Sequence, residues 1–171
     1  MSADLSTMFR SFRRSAFRLE TLDHYAIPEE AETVAAFLRG EPLPSDLHKR
    51  PWLTMVADHC SAGRRMQRVH LVTLPLSDYL RYEFTVQGET NVRAGEDIRI
   101  AERTTAHATC TQDFWLFDDE VVFIMRYGDD GSFHGAHQPD DSQAVAECRR
   151  LRDLVLATAI PLPDYVAGSR L

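Results

Sequence analysis

A chain of 171 residues, 44% hydrophobic and 26% charged, is long enough to bury a core without disulfides or metal and is expected to form one domain. A formal net charge of −7 argues against direct nucleic-acid binding, since phosphate contacts need concentrated Lys and Arg. No apolar run approaches the roughly 18 residues of a membrane span, and no uninterrupted apolar stretch follows the first charges, so neither a membrane segment nor a secretory signal is expected and the expected location is cytoplasmic.

In chain order, residues 4–14 suit a short helix with Leu5, Met8, Phe9 and Phe12 on one face. Residues 15–22 alternate Phe17 and Leu19 with Arg18 and Glu20, as a strand would. Pro28 opens a helix whose early acids suit the dipole and which Gly40 stops; its expected apolar face is Ala31, Val34, Ala35 and Leu38. Residues 41–51 read as a proline-rich connector. Residues 1–45 are therefore read as an N-terminal helical segment preceding a mixed core over 46–171.

In that core, residues 52–63 read as a helix ending at Gly63, and Met66, Val69, Leu71 and Val72 mark a buried strand that Pro75 ends. Ser77 or Asp78 caps a helix carrying Tyr79, Leu80, Glu83 and Phe84, and Gly95 closes it. Residues 97–103 form another strand, expected to lie parallel to the one before. The runs DFWLFD and VVFIMRYG are too short for helices, and turns are expected at Asp118-Asp119-Glu120 and Asp129-Asp130-Gly131. Because Phe114, Trp115, Leu116 and Phe117 make both faces apolar, that strand should be central. A third strand follows near His134, then a helix capped by Asp141 or Ser142 with a stripe of Val145, Cys148, Leu151, Leu154 and Val155. The expected fold class is α/β, with α+β the alternative: a mixed sheet of about five strands with flanking helices.

Candidate sites are few. Asp113, Asp118 and Asp119 could be paired carboxylates, but adjacent aspartates in a turn face water or opposite sides, which favours acidic hairpin turns. His134 and His137, three apart on a strand, face opposite ways and make a poor metal pair. His70 reads as a satisfied strand histidine, and His107 in a loop is the one to test. Arg81, Glu83, Asp97 and Arg99, with Tyr79 and Trp115, are candidates for a ligand clamp near strand ends, where open α/β sheets bind ligands. Arginines cluster at Arg10, Arg13, Arg14 and Arg18 and again at Arg64, Arg65 and Arg68, a pattern suited to docking on an acidic surface. Cys60, Cys110 and Cys148 lack a CxxC pair and read as free thiols, so no metal or other cofactor is expected.

The motifs DYLRYE, AGEDIR, DFWLFDD and DDGSF resemble an actinobacterial family of unknown function whose members are encoded beside antitoxin-like helix-turn-helix regulators. The resemblance runs from about SAFRLET to YVA and implies a regulatory or partner protein, with no catalytic residue to carry over. The order of elements also looks like the phospholipase-D-like fold. Catalysts of that fold need a His-x-Lys-x4-Asp pattern. Aligned on Asp118, the His and Lys positions hold Thr111 and Asp113; aligned on Asp119, they hold Gln112 and Phe114.

These readings converge on a non-enzymatic regulatory protein. It would bind a helix-turn-helix regulator or sense a small ligand, and an oligomer is compatible with either role. The binding candidates are Tyr79, Arg81, Glu83, Asp97, Arg99, His107, Asp113, Trp115 and Asp118. One alternative is a hydrolase or transferase using His107 with Asp113 or Asp118, for which a histidine should meet a carboxylate at the bottom of a cleft. Another is a toxin-like effector neutralised by its neighbour.

Overall fold

The structure, a computed structural model, describes residues 4–43 and 50–168. Its centre is a seven-stranded mixed sheet in the order β6-β5-β4-β1-β2-β3-β7, two strands more than the sequence suggests. The strands are β1 (Ser15–Glu20), β2 (Arg65–Val72), β3 (Asp97–Glu102), β4 (Phe114–Phe117), β5 (Val121–Tyr127), β6 (Phe133–His137) and the short β7 (Ile160–Pro161). β1, β2 and β3 run parallel, as expected for the β2–β3 pair, and the remaining pairings are antiparallel. The strand read over residues 15–22 joins this sheet as β1, and β7 is a further strand. The first is central because the segment before residue 46 is not only helical: β1 pairs with β2 on one side and β4 on the other. The second forms where the chain, after the helix that ends at Leu156, turns back along β3.

The helices are α1 (Leu5–Ser11), α2 (Ala31–Leu38), α3 (Arg50–Ser61), α4 (Asp78–Glu89), α5 (Asn91–Ala94), α6 (Ser142–Leu156) and α7 (Leu162–Gly168). Their caps follow the sequence: Ser77 Oγ accepts from Leu80 N at 3.1 Å, and Asp141 Oδ1 accepts from Gln143 N at 2.8 Å. Among the described residues no helix is long and apolar enough to cross a membrane. α2 departs from its expected face. It packs beside α4 through Phe37 and Tyr82, which buries Thr33 and Ala36 and leaves Leu38 exposed. Six residues of the connector, 44–49, lie outside the described residues.

α6 covers one face of the sheet, where Cys148, Leu151 and Val155 pack on Phe17, Leu19, Val69, Leu71, Phe114 and Leu116. The other face is covered at one end by α1 and α3 over Met66, Trp115 and Phe117, and at the other by α4 and α7 over Ile98 and Ile100. β4 is central as its two-sided apolar pattern requires, with all four residues buried.

The acidic turns are structural. At Asp118 and Asp119, φ is 53° and 62°, and Glu120 N donates to Phe117 O at 2.9 Å, which makes a tight primed hairpin turn without glycine. Asp118 accepts from three backbone amides, Arg13 N at 2.8 Å, Arg14 N at 2.6 Å and Ser15 N at 2.9 Å, and so ties the entry of β1 to the turn. The cysteines are free. Burial pushes the Cys148 thiol up to about 12.

Candidate functional site

Between the two apolar ends of the second face lies a patch of buried charge. Parity places it there: residues 18 and 20 of β1 and 68 and 70 of β2 share a face. Register then sets Arg18 beside Arg68 and Glu20 beside His70. Trp115 pairs with Arg18 from β4, and both guanidiniums lie over its ring, 5.8 and 5.9 Å from the centroid.

The guanidiniums are held apart by carboxylates. Glu20 Oε1 accepts from Arg18 Nε at 3.2 Å and from Arg68 Nη1 at 2.9 Å. Arg68 Nε donates to Glu96 Oε1 at 2.9 Å, and Asn91 Nδ2 holds the other Glu96 oxygen at 2.7 Å. Arg18 Nη2 donates to Asp113 Oδ2 and to the Tyr127 hydroxyl, both at 2.9 Å. Arg18 Nη1, although buried, has no hydrogen-bond partner among the described residues. Burial opposes the charge on Glu20, but the Arg68 and Arg18 guanidiniums outweigh it and hold the carboxyl well below the usual carboxylate range. Burial works against both arginines as well; Asp113 and Glu20 keep Arg18 charged, and Glu20 and Glu96 keep Arg68 charged. His70 is shifted the other way: burial lowers its pKa and favours the neutral ring.

Above this floor opens a cleft of about 640 Å³. It lies over the second face of the sheet, above Glu20 and Arg68, walled by residues 25–30, which follow β1, and by α4, which follows β2. α4 is buried almost all round, leaving Asp78, Arg81, Thr85 and Glu89 exposed. Tyr79, Glu83 and Gln87, four apart, line the cleft together with Asn91 beyond the helix. Tyr25, Trp52, Tyr127 and Phe133 supply aromatic walls. Tyr25 donates to Asp113 at 2.6 Å, and its ring meets that of Tyr127 edge-on at 5.2 Å. The mouth is closed at one side by Ala26 N donating to Gly131 O at 3.0 Å. Gly131 has φ of 79°, and a Cβ there would stand 2.6 Å from His24 O. A groove of about 690 Å³ between α1 and β6 is larger, but no buried charged side chain lines it.

The structure gathers some of the expected site residues here and scatters the rest. Tyr79 and Glu83 line the cleft, Trp115 lies beneath the arginines, and Asp113 anchors Arg18. Asp113 itself is saturated by four donors: Thr21 N, Thr21 Oγ1, Tyr25 and Arg18. Arg81 is on the exposed stripe of α4 and pairs with Asp78 at 3.7 Å. Asp97 stands at the amino end of β3, away from the cleft, and Arg99 pairs with it at 3.1 Å; odd-numbered residues of β3 face α6. Asp118 serves the hairpin turn. His107 is buried in a short 3-10 turn, where its Nδ1 accepts from Thr104 N at 3.2 Å and its Nε2 faces Thr158 Oγ1 at 3.4 Å. Among the described residues no hydrogen bond or ion pair joins it to a carboxylate. His107, Asp113 and Asp118 therefore do not converge on one site. The expected meeting of histidine and carboxylate under a cleft occurs instead at His70 and Glu20, whose Nδ1 and Oε2 are 3.2 Å apart.

Arg18, Glu20, Arg68, His70, Gln87 and Glu96 are not among the residues the sequence assigns to a cleft. The available signal was charged residues spaced two apart in two strands, Arg18/Glu20 and Arg68/His70. They read as solvent-facing only while β1 is taken for an appendage. The arginine clusters are likewise divided by the fold, because Arg18 and Arg68 are buried while Arg10, Arg13, Arg14 and Arg65 are exposed.

A family model described as Domain of unknown function (DUF6879) matches residues 3–167. No curated protein matches the chain.

Proposed function

The chain belongs to that family of unknown function, and we propose that it is a regulatory, ligand-binding protein whose cleft holds a small, flat molecule bearing hydrogen-bond donors. One observation carries this reading: an open cleft whose floor is a buried ionic network and whose walls are aromatic. Its charged lining is Glu20, Glu29, Glu30 and Glu83 against Arg68 alone, so acceptors predominate and a ligand with N–H or O–H groups is favoured. Such a network is a poor way to stabilise a fold, since desolvating the ions offsets their attraction. Binding explains its presence better than stability does.

The test is two-dimensional NMR on labelled protein with a panel of amines, guanidines and nucleobases, in buffer containing EDTA. Binders should shift the amides of Tyr79, Glu83 and Gln87 and lose their effect in Tyr79→Ala and Trp52→Ala. Responses confined to α6 or to the α1–β6 groove would refute the reading.

Docking to a partner is a second reading, and one observation favours it. Arg10, Arg13, Arg14, Arg64 and Arg65 gather where β1 and β2 begin, and Arg65 N donates to Arg14 O at 2.9 Å. A cytoplasmic helix-turn-helix regulator with an acidic face would suit this end. The actinobacterial setting, the antitoxin-like neighbour and the phospholipase-D-like analogy belong to this reading. Co-expression with the neighbouring regulator, followed by size exclusion with light scattering, tests it. A complex that survives Arg13→Glu/Arg65→Glu would count against the basic end as the interface.

A further inference from the structure

The cleft floor contains a cluster that the ionic network alone does not account for. Glu20, His70 and Glu83 each offer a ligand atom, and these atoms lie within 4.8 Å of one another. All three residues are buried, with His70 1% exposed. Two donors about 2.1 Å from a tetrahedral ion stand about 3.4 Å apart, so a small side-chain adjustment would close the set on an ion.

The hydrogen bonds around the cluster prepare it. Gln87 Nε2 donates to Glu83 Oε1 at 2.8 Å, because a carboxylate can only accept. The Gln87 amide oxygen therefore faces His70 Nε2 at 3.0 Å, and that nitrogen must be the one bearing the proton. In the neutral ring Nδ1 then presents a bare lone pair, and Glu20 Oε2 presents another, 3.2 Å away. Among the described residues neither atom has a hydrogen-bond partner, although both are buried. Two lone pairs facing each other repel unless a cation lies between them. The other ends are already occupied, Glu20 Oε1 by the two arginines and His70 Nε2 by Gln87. A histidine whose outer nitrogen is fixed by a hydrogen bond, leaving the inner one free, is the usual preparation of a metal ligand.

Charge points the same way. Around the floor, Arg18 and Arg68 are set against Glu20, Glu83, Glu96 and Asp113. Two guanidiniums leave a doubly negative cluster, which a dication would neutralise. One imidazole with two carboxylates suits a first-row divalent ion better than magnesium or calcium, which take oxygen ligands throughout. Glu20 and Glu83 also line the cleft, so an ion held there would keep a coordination position facing it. We propose that Glu20 Oε2, His70 Nδ1 and Glu83 form a three-ligand site for a divalent first-row transition ion, open towards the cleft.

The inference is independent of which organic molecule occupies the cleft above. Its probe is Zn²⁺ alone, with Mn²⁺ as a second ion, measured by calorimetry on the whole chain after chelator treatment. A double control, His134→Ala/His137→Ala, removes the exposed histidines of β6 that could take up zinc adventitiously. The expected result is one zinc per chain in wild type and in the control. Binding should weaken at least about 100-fold in Glu83→Gln and about 10- to 100-fold in Gln87→Leu, which releases the His70 ring and the Glu83 carboxylate without replacing a ligand. Imidazole ¹⁵N shifts provide a readout independent of folding: zinc should move His70 Nδ1 while Nε2 stays protonated. Zinc binding lost in the control but unchanged in Glu83→Gln would overturn the proposal. So would the absence of binding together with a His70 protonated on both nitrogens, which would make the cluster a plain ion pair with Glu20. Because the organic panel is screened in EDTA, failure here leaves the cleft reading standing, and failure there leaves the metal site standing.

Discussion

The two faces of the central strands share a backbone and differ in almost everything else. Towards α6, β1, β2 and β4 present Phe17, Leu19, Val69, Leu71, Phe114 and Leu116, a dry core that needs no partner atoms. One residue along, the same strands present Arg18, Glu20, Arg68 and His70, also buried, whose hydrogen bonds run through a network of carboxylates, Tyr127 and Gln87 that leaves several of their polar atoms unpaired among the described residues. Burying apolar surface stabilises the fold by about 25 cal/mol per Å², whereas burying ion pairs roughly breaks even. The α6 face can therefore hold the fold together, which leaves the opposite face available for a site.

Four substitutions would break or sharpen that contrast. The largest effect is expected from Arg68→Met. Losing this guanidinium leaves Glu20 and Glu96 buried with one donor fewer each, and urea unfolding should show a loss of about 3–5 kcal/mol. Leu116→Ala, on the dry face, should cost about 2–5 kcal/mol through a cavity under α6. The two are separated by the cleft: Leu116→Ala should leave zinc binding and the Tyr79, Glu83 and Gln87 amide shifts unchanged, and Arg68→Met should alter both.

A smaller effect concerns His107, which neither face uses. Burial, followed by the nearby Arg103 charge, lowers its pKa, so the folded protein holds the ring neutral. Below the unfolded value of about 6.5 the unfolded chain takes up the proton first, so this contribution is full above that pH and declines as pH falls towards the folded value. The loss of stability between pH 7 and 5 should be shallower in His107→Gln than in wild type. An unchanged slope would remove the ring from the account.

Much of the frame was legible because local rules and tertiary context agree there. Ser77 and Asp141 cap their helices, Gly63 stops α3 with positive φ, and the two-sided apolar pattern of residues 114–117 marks a central strand, whereas the helix expected to run to Gly95 breaks at Thr90 into α4 and α5. The site was legible only in part. Tyr79 and Glu83 stand out on a helix whose stripe repeats every four residues. Arg18 and Glu20 do not, because alternation distinguishes two faces of a strand without saying that both are covered. Only the pairing of β1 between β2 and β4, a contact distant in sequence, turns an apparent solvent face into the floor of a cleft. Asp97 and Arg99 misled for a related reason: closeness to a strand end does not say which end, and parity sends Arg99 to the other side.

The central claim is that the charged face is kept for binding and not for stability, and Glu83→Gln tests it most directly. The change preserves size and removes one negative charge from a cluster with more acids than bases. Denaturant unfolding in metal-free buffer should show the variant more stable than wild type by about 1 kcal/mol, as substitutions that relieve a binding site commonly are. The same protein should no longer be stabilised by zinc. A variant less stable than wild type in metal-free buffer would contradict the account and make the ionic floor part of what holds the fold together.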